Sequence, residues 1–392
     1  MKTICFVVQR YGKQILGGSE AYCRQIAERL TEWYKVEVLT SKALDYLTWE
    51  NEIEEDTEEL NGVIIHRFPT EHSRCLTQEI IDRAYGEEKT LDNGQEWLDA
   101  QGPYCPALVE YLQQHEAEYD AVVLMTYLYY PTVMAARVVG KKGILIPTAH
   151  DEPWIHQPIY DQLFAEAAAW YFLTPEEKAY VEQQFPTEGK LLGTGSGGVG
   201  VIVPDRIDQE AFRKKYHLGN KPYIVYAGRI DDSKFCPELF NYFRKYKTRH
   251  NNELQLVLCG KGNKIPAHAD IHGLGFVSEE DKFSAMAGAV SLVLPSRFES
   301  LSIVVLEAMS MGTPVIVTEK CEVLKGHCLR SNAGLYYNNY LEFEGELDYL
   351  LTHEEERRRM GQNGVQYVNK FYQWSHIMQG LRDLIDKVIQ ND

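Results

Sequence analysis

The sequence has no apolar run as long as the roughly 18 residues that a membrane-spanning helix needs, so it predicts none. Its eight cysteines contain no Cys-x-x-Cys pair and follow no regular spacing. This pattern argues against a zinc site and against a disulfide framework. We therefore expect a cytoplasmic protein with reduced cysteines and no bound metal.

The chain is also poor in positive charge, with 40 Lys and Arg against 57 Asp and Glu. The imbalance lies almost entirely in residues 1–200, whose 32 acidic and 16 basic side chains give a net charge of −16, while residues 201–392 carry −1. Such a surface repels nucleic acid phosphates and anionic lipids. We expect no nucleic acid partner and no strong membrane binding.

Both halves of the 392-residue chain alternate apolar, strand-like runs with helical segments, and the length exceeds one ordinary core. This alternation predicts an α/β fold with parallel, doubly wound sheets. We place one domain over residues 1–200 and a second over residues 201–372. The predicted strands are 3–8, 36–40, 62–67, 121–126, 143–147, 169–173, 223–227, 254–259, 271–274, 291–294 and 315–318.

The predicted helices are 19–33, 131–139, 175–185, 237–247, 279–286, 301–311, 341–351, 354–370 and 374–389. The acidic run Glu50–Glu59 predicts a solvated loop. Residues 73–116 form a longer, partly helical excursion, which either covers a cleft between the domains or is an ordinary pair of surface helices.

A literal Gly-x-Gly-x-x-Gly stands at Gly195–Gly200, but it is a poor candidate for dinucleotide binding. That fingerprint requires a helix directly after the glycines. The residues that follow are β-branched and end at Pro204, which is hostile to a helix. We interpret the stretch as a glycine-rich linker between the domains.

Two glutamates eight positions apart, Glu299 and Glu307, give the most informative pattern in the chain. The first precedes a predicted helix, the second lies inside it, and Ser300, Leu301 and Ser302 would form its opening turn. Unpaired N–H groups and the helix dipole favour an anion there. The carboxylates would lie roughly 10–12 Å apart at about 1.5 Å rise per residue, a span that suits a nucleotide sugar. An amphipathic helix with two incidental acids would give the same spacing.

The Glu-x7-Glu arrangement, followed by Ala-Met-Ser-Met-Gly-Thr-Pro-Val, resembles the donor site of retaining GT-B glycosyltransferases of family GT4. The resemblance implies two Rossmann-like domains that face a central cleft, with a C-terminal helix, residues 373–392, that crosses back to the first domain. It places Glu299 at the donor sugar, Ser300 to Ser302 at the diphosphate and Glu307 at the ribose hydroxyls.

Arg229 and Lys234 follow a predicted strand and could converge on a diphosphate, where they would neutralise the charge of the leaving group. The resemblance assigns them that role, although the glycine that usually follows the lysine is Phe235 here. Without the nearby glutamates they would be two solvated surface cations.

The remaining site residues are assigned by resemblance and have structural alternatives. Gly17 and Gly18 are similar to the loop that approaches the donor phosphate, and could equally be an ordinary strand-to-helix turn with Ser19 as the N-cap. His150 matches a histidine that meets the donor sugar, but a lone histidine is often structural. Val277 lies in a turn that resembles the one that reads the nucleobase, and such a turn also begins many helices.

The resemblance thus implies a retaining glycosyltransferase. The lack of an Asp-x-Asp metal site favours one that is metal-independent. The donor would be a UDP-, GDP- or ADP-sugar, used as a substrate and not as a cofactor. A soluble glycan, metabolite or protein is the expected acceptor in preference to a lipid. The alternatives are a GT-B epimerase or hydrolase of nucleotide sugars, and a non-catalytic subunit that binds them.

Overall fold

The structure, a computed structural model, describes residues 1–15, 17–86, 89–193, 198–262 and 264–391. It divides into two compact units. The first comprises Met1–Val199 together with the C-terminal residues from Ser375 onward, and the second is Gly200–Trp374. These bounds lie one or two residues from those that the sequence indicated. Residues 194–197, which include half of the predicted glycine-rich linker, lie outside the described residues.

The first unit is built on an eight-stranded sheet in the order β3-β4-β2-β1-β5-β6-β7-β8. The strands are Thr3–Val7 (β1), Lys35–Ser41 (β2), Thr57–Leu60 (β3), Val63–Phe68 (β4), Ala121–Met125 (β5), Gly143–Ile146 (β6), Ala169–Trp170 (β7) and Leu191–Leu192 (β8). Among the described strands, only β3 and β4 pair antiparallel. Every residue of the central strand β5 is buried, as is typical of a parallel sheet covered on both faces.

The helices of the first unit are Gly18–Leu30 (α1), Gln78–Tyr85 (α2), Leu91–Gln101 (α3), Pro106–His115 (α4), Tyr130–Val139 (α5), Pro158–Glu166 (α6) and Pro175–Gln184 (α7). Three of them, α2, α3 and α4, account for the excursion at residues 73–116. Trp97, Leu98, Leu108 and Leu112 are fully or almost fully buried in the core of this unit. The excursion therefore packs as three helices and not as a pair.

The prediction of a loop over Glu50–Glu59 is wrong at its end, because Thr57 begins strand β3. The carboxylates of Glu58 and Glu59 face solvent on this outermost strand. Charged side chains are common on edge strands, where they discourage pairing with another chain. The acidic composition therefore predicted a loop at residues that form an edge strand.

The second unit has a six-stranded, entirely parallel sheet in the order β11-β10-β9-β12-β13-β14. The strands are Tyr223–Ala227 (β9), Gln255–Cys259 (β10), Ile271–Gly273 (β11), Ser291–Leu294 (β12), Val315–Thr318 (β13) and Gly334–Tyr337 (β14). The helices are Gln209–Lys215 (α8), Cys236–Arg249 (α9), Glu279–Ala287 (α10), Ile303–Ser310 (α11), Glu322–Ser331 (α12), Tyr340–Thr352 (α13) and Glu354–Phe371 (α14). The carboxyl ends of β9 and β12 are the positions from which ligand-binding loops leave such sheets.

The last helix, Trp374–Asn391 (α15), returns to the first unit, as the resemblance implies. The Tyr34 hydroxyl donates to Asp386 Oδ1 at 2.8 Å, and the Tyr171 hydroxyl donates to the Ile377 carbonyl at 3.3 Å. Five apolar side chains and one methionine of α15 are buried, which anchors the helix by its apolar face: Ile377, Met378, Leu381, Leu384, Ile385 and Val388.

Helix α14 packs so tightly on the turn after α11 that a side chain at Gly361 has no room. A Cβ there would lie 2.1 Å from the Gly312 carbonyl oxygen, whereas one at Gly345 in α13 would meet nothing within 4 Å. We expect Gly361→Ala to lower the free energy of unfolding by about 1–3 kcal/mol through overpacking. Gly345→Ala, the control, should raise it by up to about 1 kcal/mol through helix propensity. Urea unfolding followed by circular dichroism measures both, and equal effects would contradict this packing.

Candidate functional site

The loop between β12 and α11 carries the predicted donor residues, and its geometry differs from the prediction in one respect. Helix α11 begins at Ile303, two residues later than predicted, so Ser300 and Leu301 precede the helix and do not form its opening turn. The cause is Ser302, whose φ of 64° is left-handed and cannot continue into a right-handed helix. Glu307 lies within the helix, as predicted.

Ser302 is unusual in both backbone and side chain. Non-glycine residues with positive φ are uncommon, and such strained positions concentrate at functional sites. Its Oγ is fully buried and has no hydrogen-bond partner among the described residues. An unpaired buried hydroxyl costs about 1–3 kcal/mol, which a ligand at the start of α11 would recover.

Lys234 and Glu299 meet directly, with Lys234 Nζ 2.6 Å from Glu299 Oε1. The lysine lies in the loop after β9, in a single helical turn whose backbone is capped when Lys234 N donates to Asp231 Oδ1 at 3.0 Å. Both members of the pair are mostly buried. The structure thus brings together one predicted cation and one predicted carboxylate from two loops at the same edge of the sheet.

Arg229 is about half exposed, and its Nη1 lies 3.6 Å from Asp231 Oδ2. Burial alone would raise the pKa of Asp231, but the Ser233 hydroxyl and the Arg229 guanidinium together hold it below its ordinary value. The same aspartate therefore orders both cations of the loop, through the side chain of Arg229 and the backbone of Lys234.

Phe235 takes the place where the family pattern has glycine, yet it keeps a glycine-like backbone with φ of 56°. Its ring lies 4.2 Å from the Arg297 guanidinium and 6.2 Å from the Phe298 ring. These contacts offset the strain, which for a left-handed residue is about 1–2 kcal/mol. The substitution therefore leaves the Lys234 loop with a positive φ at this residue.

Glu307 is buried in α11 and is paired through only one of its oxygens. Oε1 accepts a hydrogen bond of 2.9 Å from Lys282 Nζ, while Oε2 is buried without a partner among the described residues. Burial raises the pKa of Glu307, and the Lys282 ammonium acts in the opposite direction. Sequence reasoning missed Lys282 because only the fold brings α10 beside α11.

Val277, the predicted base-reading residue, is buried just before α10, where Ser278 caps the helix by accepting from Asp281 N at 3.1 Å. The preceding Gly275 has φ of 71°, a conformation that favours glycine. Lys282 lies one turn into the helix that follows. The turn predicted to read the base and the partner of Glu307 are therefore parts of one local structure.

His327 is a second residue that the sequence did not single out, and it holds the loop before α11. Its Nε2 donates to the Leu301 carbonyl at 2.8 Å, and its Nδ1 accepts from the Tyr367 hydroxyl at 3.1 Å. The ring is fully buried, and this burial lowers its pKa to about 3. A histidine inside a helical stretch gave no signal of this role.

In the first unit, the carboxylate of Glu20 folds back over the start of α1 and lies against Gly17. A Cβ at Gly17 would lie 2.1 Å from Glu20 Oε2, and Glu20 Oε1 lies 2.6 Å from Arg10 Nη2. Gly17 occupies the N-cap position and Gly18 begins the helix, so the prediction of Ser19 as N-cap is wrong. Gly17 therefore accommodates a buried ion pair, whereas a Cβ at Gly18 would meet nothing within 4 Å.

His150 follows β6, and its Nδ1 lies 3.4 Å from Glu152 Oε1. Its loop is fixed by the buried carboxylate of Glu177, which accepts from Ala149 N at 2.7 Å and from Leu173 N at 2.6 Å. Burial raises the pKa of Glu177 to about 8, although these backbone donors act in the opposite direction. The Thr-x-x-Glu spacing from Thr174 to Glu177 marks a helix start, and it was the pattern in the sequence that could have pointed to Glu177.

The second unit therefore carries its predicted donor residues on loops that follow its strands, apart from Glu307, which lies inside α11. In the first unit, Gly17 and His150 lie on segments after β1 and β6, and Gly18 begins α1. Within the described part of the chain, no group of three or more His, Cys, Asp or Glu side chains is arranged to hold a metal ion. None of the described helices is long and apolar enough to cross a membrane.

Comparison with known proteins finds a family model that matches part of the second unit. Residues 208–367 match the family model of glycosyl transferases group 1. An alpha-D-kanosaminyltransferase of Streptomyces kanamyceticus is 30% identical over 39% of this chain, and the match spans only 42% of that enzyme. An uncharacterised glycosyltransferase of Methanocaldococcus jannaschii is 24% identical over 95% of each chain.

Among solved structures, Anabaena HepE in complex with UDP and glucose is similar in fold, with a TM-score of 0.70. The likeness covers 99% of this chain and 100% of that chain at 15% sequence identity. With two units, each built on a largely parallel sheet, this similarity confirms the expected fold class.

The buried neutral His327 gives a test of the loop before α11. The unfolded chain gains a proton there as the pH falls below about 6.5, while the folded chain excludes it, so folding should lose stability from about pH 6.5 toward 3. His327→Gln should remove this component, which amounts to up to about 1.4 kcal/mol per pH unit. Urea unfolding between pH 5.5 and 7 gives the slope. His376→Gln, an exposed control, should keep the wild-type slope, and a wild-type slope in His327→Gln would refute the assignment.

Proposed function

We propose that this protein transfers a sugar with retention and without a metal ion. The proposal starts from the match of residues 208–367 to the group 1 glycosyl transferases and from the similarity to a glycosyltransferase over 95% of the chain. The donor is a UDP-, GDP- or ADP-sugar, which is a substrate, and no cofactor takes part. The observation that carries this proposal is the contact of Lys234 with Glu299 at 2.6 Å, beside a helix in which Glu307 keeps one buried oxygen unpaired.

The donor would lie along the start of α11. Glu307 accepts from the ribose, the backbone from Ser300 to Ser302 and the helix dipole meet the diphosphate, and Glu299 accepts from a sugar hydroxyl. Lys234 exchanges its bond with Glu299 for a phosphate oxygen when the donor binds. In the first unit, Gly17, Gly18 and His150 are proposed to contact the donor as the family resemblance implies.

The reaction is a front-face substitution, as the resemblance implies. The bond between sugar C1 and the phosphate oxygen breaks, and the acceptor oxygen bonds C1 on the same face. The acceptor proton passes to the leaving phosphate oxygen, so no nucleophile from the protein is needed. Arg229 and Lys234 supply the positive charge that stabilises the departing diphosphate, a role that a metal ion has in other enzymes.

Two other functions use the same site and differ in their products. An epimerase or hydrolase of nucleotide sugars would convert the donor without an acceptor, and a non-catalytic subunit would bind the donor without turnover. A catalytic role is favoured over a silent subunit because Lys234 contacts Glu299 and Arg229 lies on the same loop as Lys234, so that both cations can serve a departing diphosphate. Product analysis with donor alone identifies an epimerase or hydrolase, and nucleotide binding without turnover in the presence of candidate acceptors would indicate a non-catalytic subunit.

The acceptor is proposed to be a soluble glycan, metabolite or protein in preference to a lipid, in a protein located in the cytoplasm. The net charge of −16 over residues 1–200 is the supporting observation, because it repels anionic membrane surfaces. UDP is the first nucleotide to test, since HepE, which is similar in fold, is described in complex with UDP and glucose.

The ribose assignment predicts that Glu307→Gln weakens binding of the free nucleoside diphosphate. Loss of a charged hydrogen bond should cost about 1–3 kcal/mol, and the variant keeps the side-chain shape. Titration calorimetry with UDP, GDP and ADP measures the affinities. Glu280→Gln removes an exposed acid of α10 and should bind like the wild type. Unchanged affinity in Glu307→Gln would exclude Glu307 from the nucleotide site.

The leaving-group assignment predicts that Lys234→Ala lowers kcat by about 10²–10³, as loss of a preorganised stabilising group does. Lys264→Ala is the control, because Lys264 contacts the same turn through Asp232 but is exposed. The assay is release of nucleoside diphosphate from the sugar nucleotide that the calorimetry selects, with candidate acceptors. The wild type should stay active in EDTA, and loss of turnover on chelation would disprove metal independence.

A further inference from the structure

Lys282 connects the two carboxylates that flank it, and it does so at the edge of the proposed nucleotide site. Its Nζ lies 2.9 Å from Glu307 Oε1 and 2.8 Å from Glu279 Oε2, and its side chain is only 18% exposed. Lysines are rarely buried unless they are paired. Burial lowers the pKa of Lys282, but the two glutamates raise it above its ordinary value, so the group stays charged.

The two acids do not depend on the lysine equally. The Glu279 side chain is 65% exposed and is solvated by water, whereas that of Glu307 is 10% exposed. Removing the partner of a buried charge is far more costly than removing the partner of an exposed one. The main electrostatic role of Lys282 is therefore to compensate Glu307.

This pairing makes the two oxygens of Glu307 inequivalent. Oε1 is held by Lys282, and Oε2 is buried with no hydrogen-bond partner among the described residues. A buried charged oxygen without a donor is costly, so Oε2 is the atom that a ligand hydroxyl would satisfy. Lys282 also fixes the rotation of the carboxylate and hence the direction of Oε2.

We infer that Lys282 is a positioning residue for nucleotide recognition: it holds Glu307 Oε1 so that Oε2 accepts from one of the two ribose hydroxyls of the bound nucleoside diphosphate. The inference rests on the proposed function, because it takes the ligand of Glu307 to be a ribose. It goes further in two ways. The two ribose hydroxyls contribute unequally to binding, and the residue that causes this difference, Lys282, lies outside α11.

A lysine that only stabilised the fold would not affect how the two ribose hydroxyls are distinguished, whereas a positioning lysine would. Replacing Lys282 by methionine frees the carboxylate to rotate, so both oxygens become available and the hydroxyls should be read more equally. It also removes the positive charge that opposes burial, so the pKa of Glu307 rises and nucleotide binding weakens as the pH falls. Lys282 and Glu279, both on α10, are the charged groups that face this carboxylate.

The test is calorimetry with whichever of UDP, GDP and ADP binds the wild type most tightly, together with its 2′-deoxy and 3′-deoxy forms. The wild type should lose about tenfold in affinity with one deoxy form, or about 1.4 kcal/mol, and less than about threefold with the other. Lys282→Met should bind the parent nucleotide about tenfold more weakly, with a smaller difference between deoxy forms and a larger loss from pH 8 to pH 6.

Two further variants separate positioning from general damage. Lys282→Arg keeps the charge and should restore most of the affinity. Lys215→Met removes an exposed lysine of α8, whose Nζ lies 2.5 Å from Oδ2 of Asp281 in α10, the helix that carries Lys282. This variant should bind the nucleotide like the wild type.

Three outcomes are decisive. Equal losses with both deoxy forms in the wild type would overturn the inference, and this comparison needs no variant, so it holds even if Lys282→Met does not fold. Wild-type affinity and selectivity in a folded Lys282→Met would overturn it as well. If none of the three nucleotides binds the wild type, the proposed function fails instead.

Discussion

The left-handed backbone of Ser302 is the constraint on which the second unit's site depends. It lies between the irregular segment after β12 and the first residue of α11, so that Glu299 stays on the loop and Glu307 lies inside the helix. A right-handed residue there would start the helix earlier and would rotate Glu307 away from α10. The position of both carboxylates thus follows from one unfavourable torsion angle.

Such a torsion persists only where its surroundings hold it in place. His327 fixes the Leu301 carbonyl from one side, and the absence of a side chain at Gly361 lets α14 close over the turn that ends α11. Neither residue is near enough in sequence to look related to the loop. Helices α12 and α14 therefore support the backbone on either side of α11.

Buried carboxylates recur throughout the molecule, and each is stabilised in its own way. Glu20 is paired with Arg10, Glu307 with Lys282, and Glu177 with two backbone N–H groups. Burying a charge is expensive, so each carboxylate must have a compensating donor or must be protonated. Glu307 differs from the other two because one oxygen is left over. This difference, and not burial alone, makes Glu307 a candidate for a ligand contact.

Sequence periodicity located the sheet and most helices, because strands such as Tyr223–Ala227 and Val315–Thr318 are short apolar runs between turn residues. It failed where side chains face solvent, as at Thr57–Leu60, and where the local pattern is weak, as in α8 and α12. Motif spacing found Glu299, Glu307 and Lys234 because they lie on loops and helix starts with recognisable composition.

The partners of those residues could not be read in the same way. Lys282 occupies an ordinary charged position of an acidic helix start, and only the packing of α10 on α11 makes it the counter-ion of Glu307. Phe235 shows that a departure from the family motif need not change the backbone. There the sequence departs from the family pattern, yet the backbone keeps the positive φ that glycine would adopt, because Arg297 and Phe298 hold the ring. A motif therefore records the backbone path that a site needs, and the tertiary contacts decide which side chains can supply it.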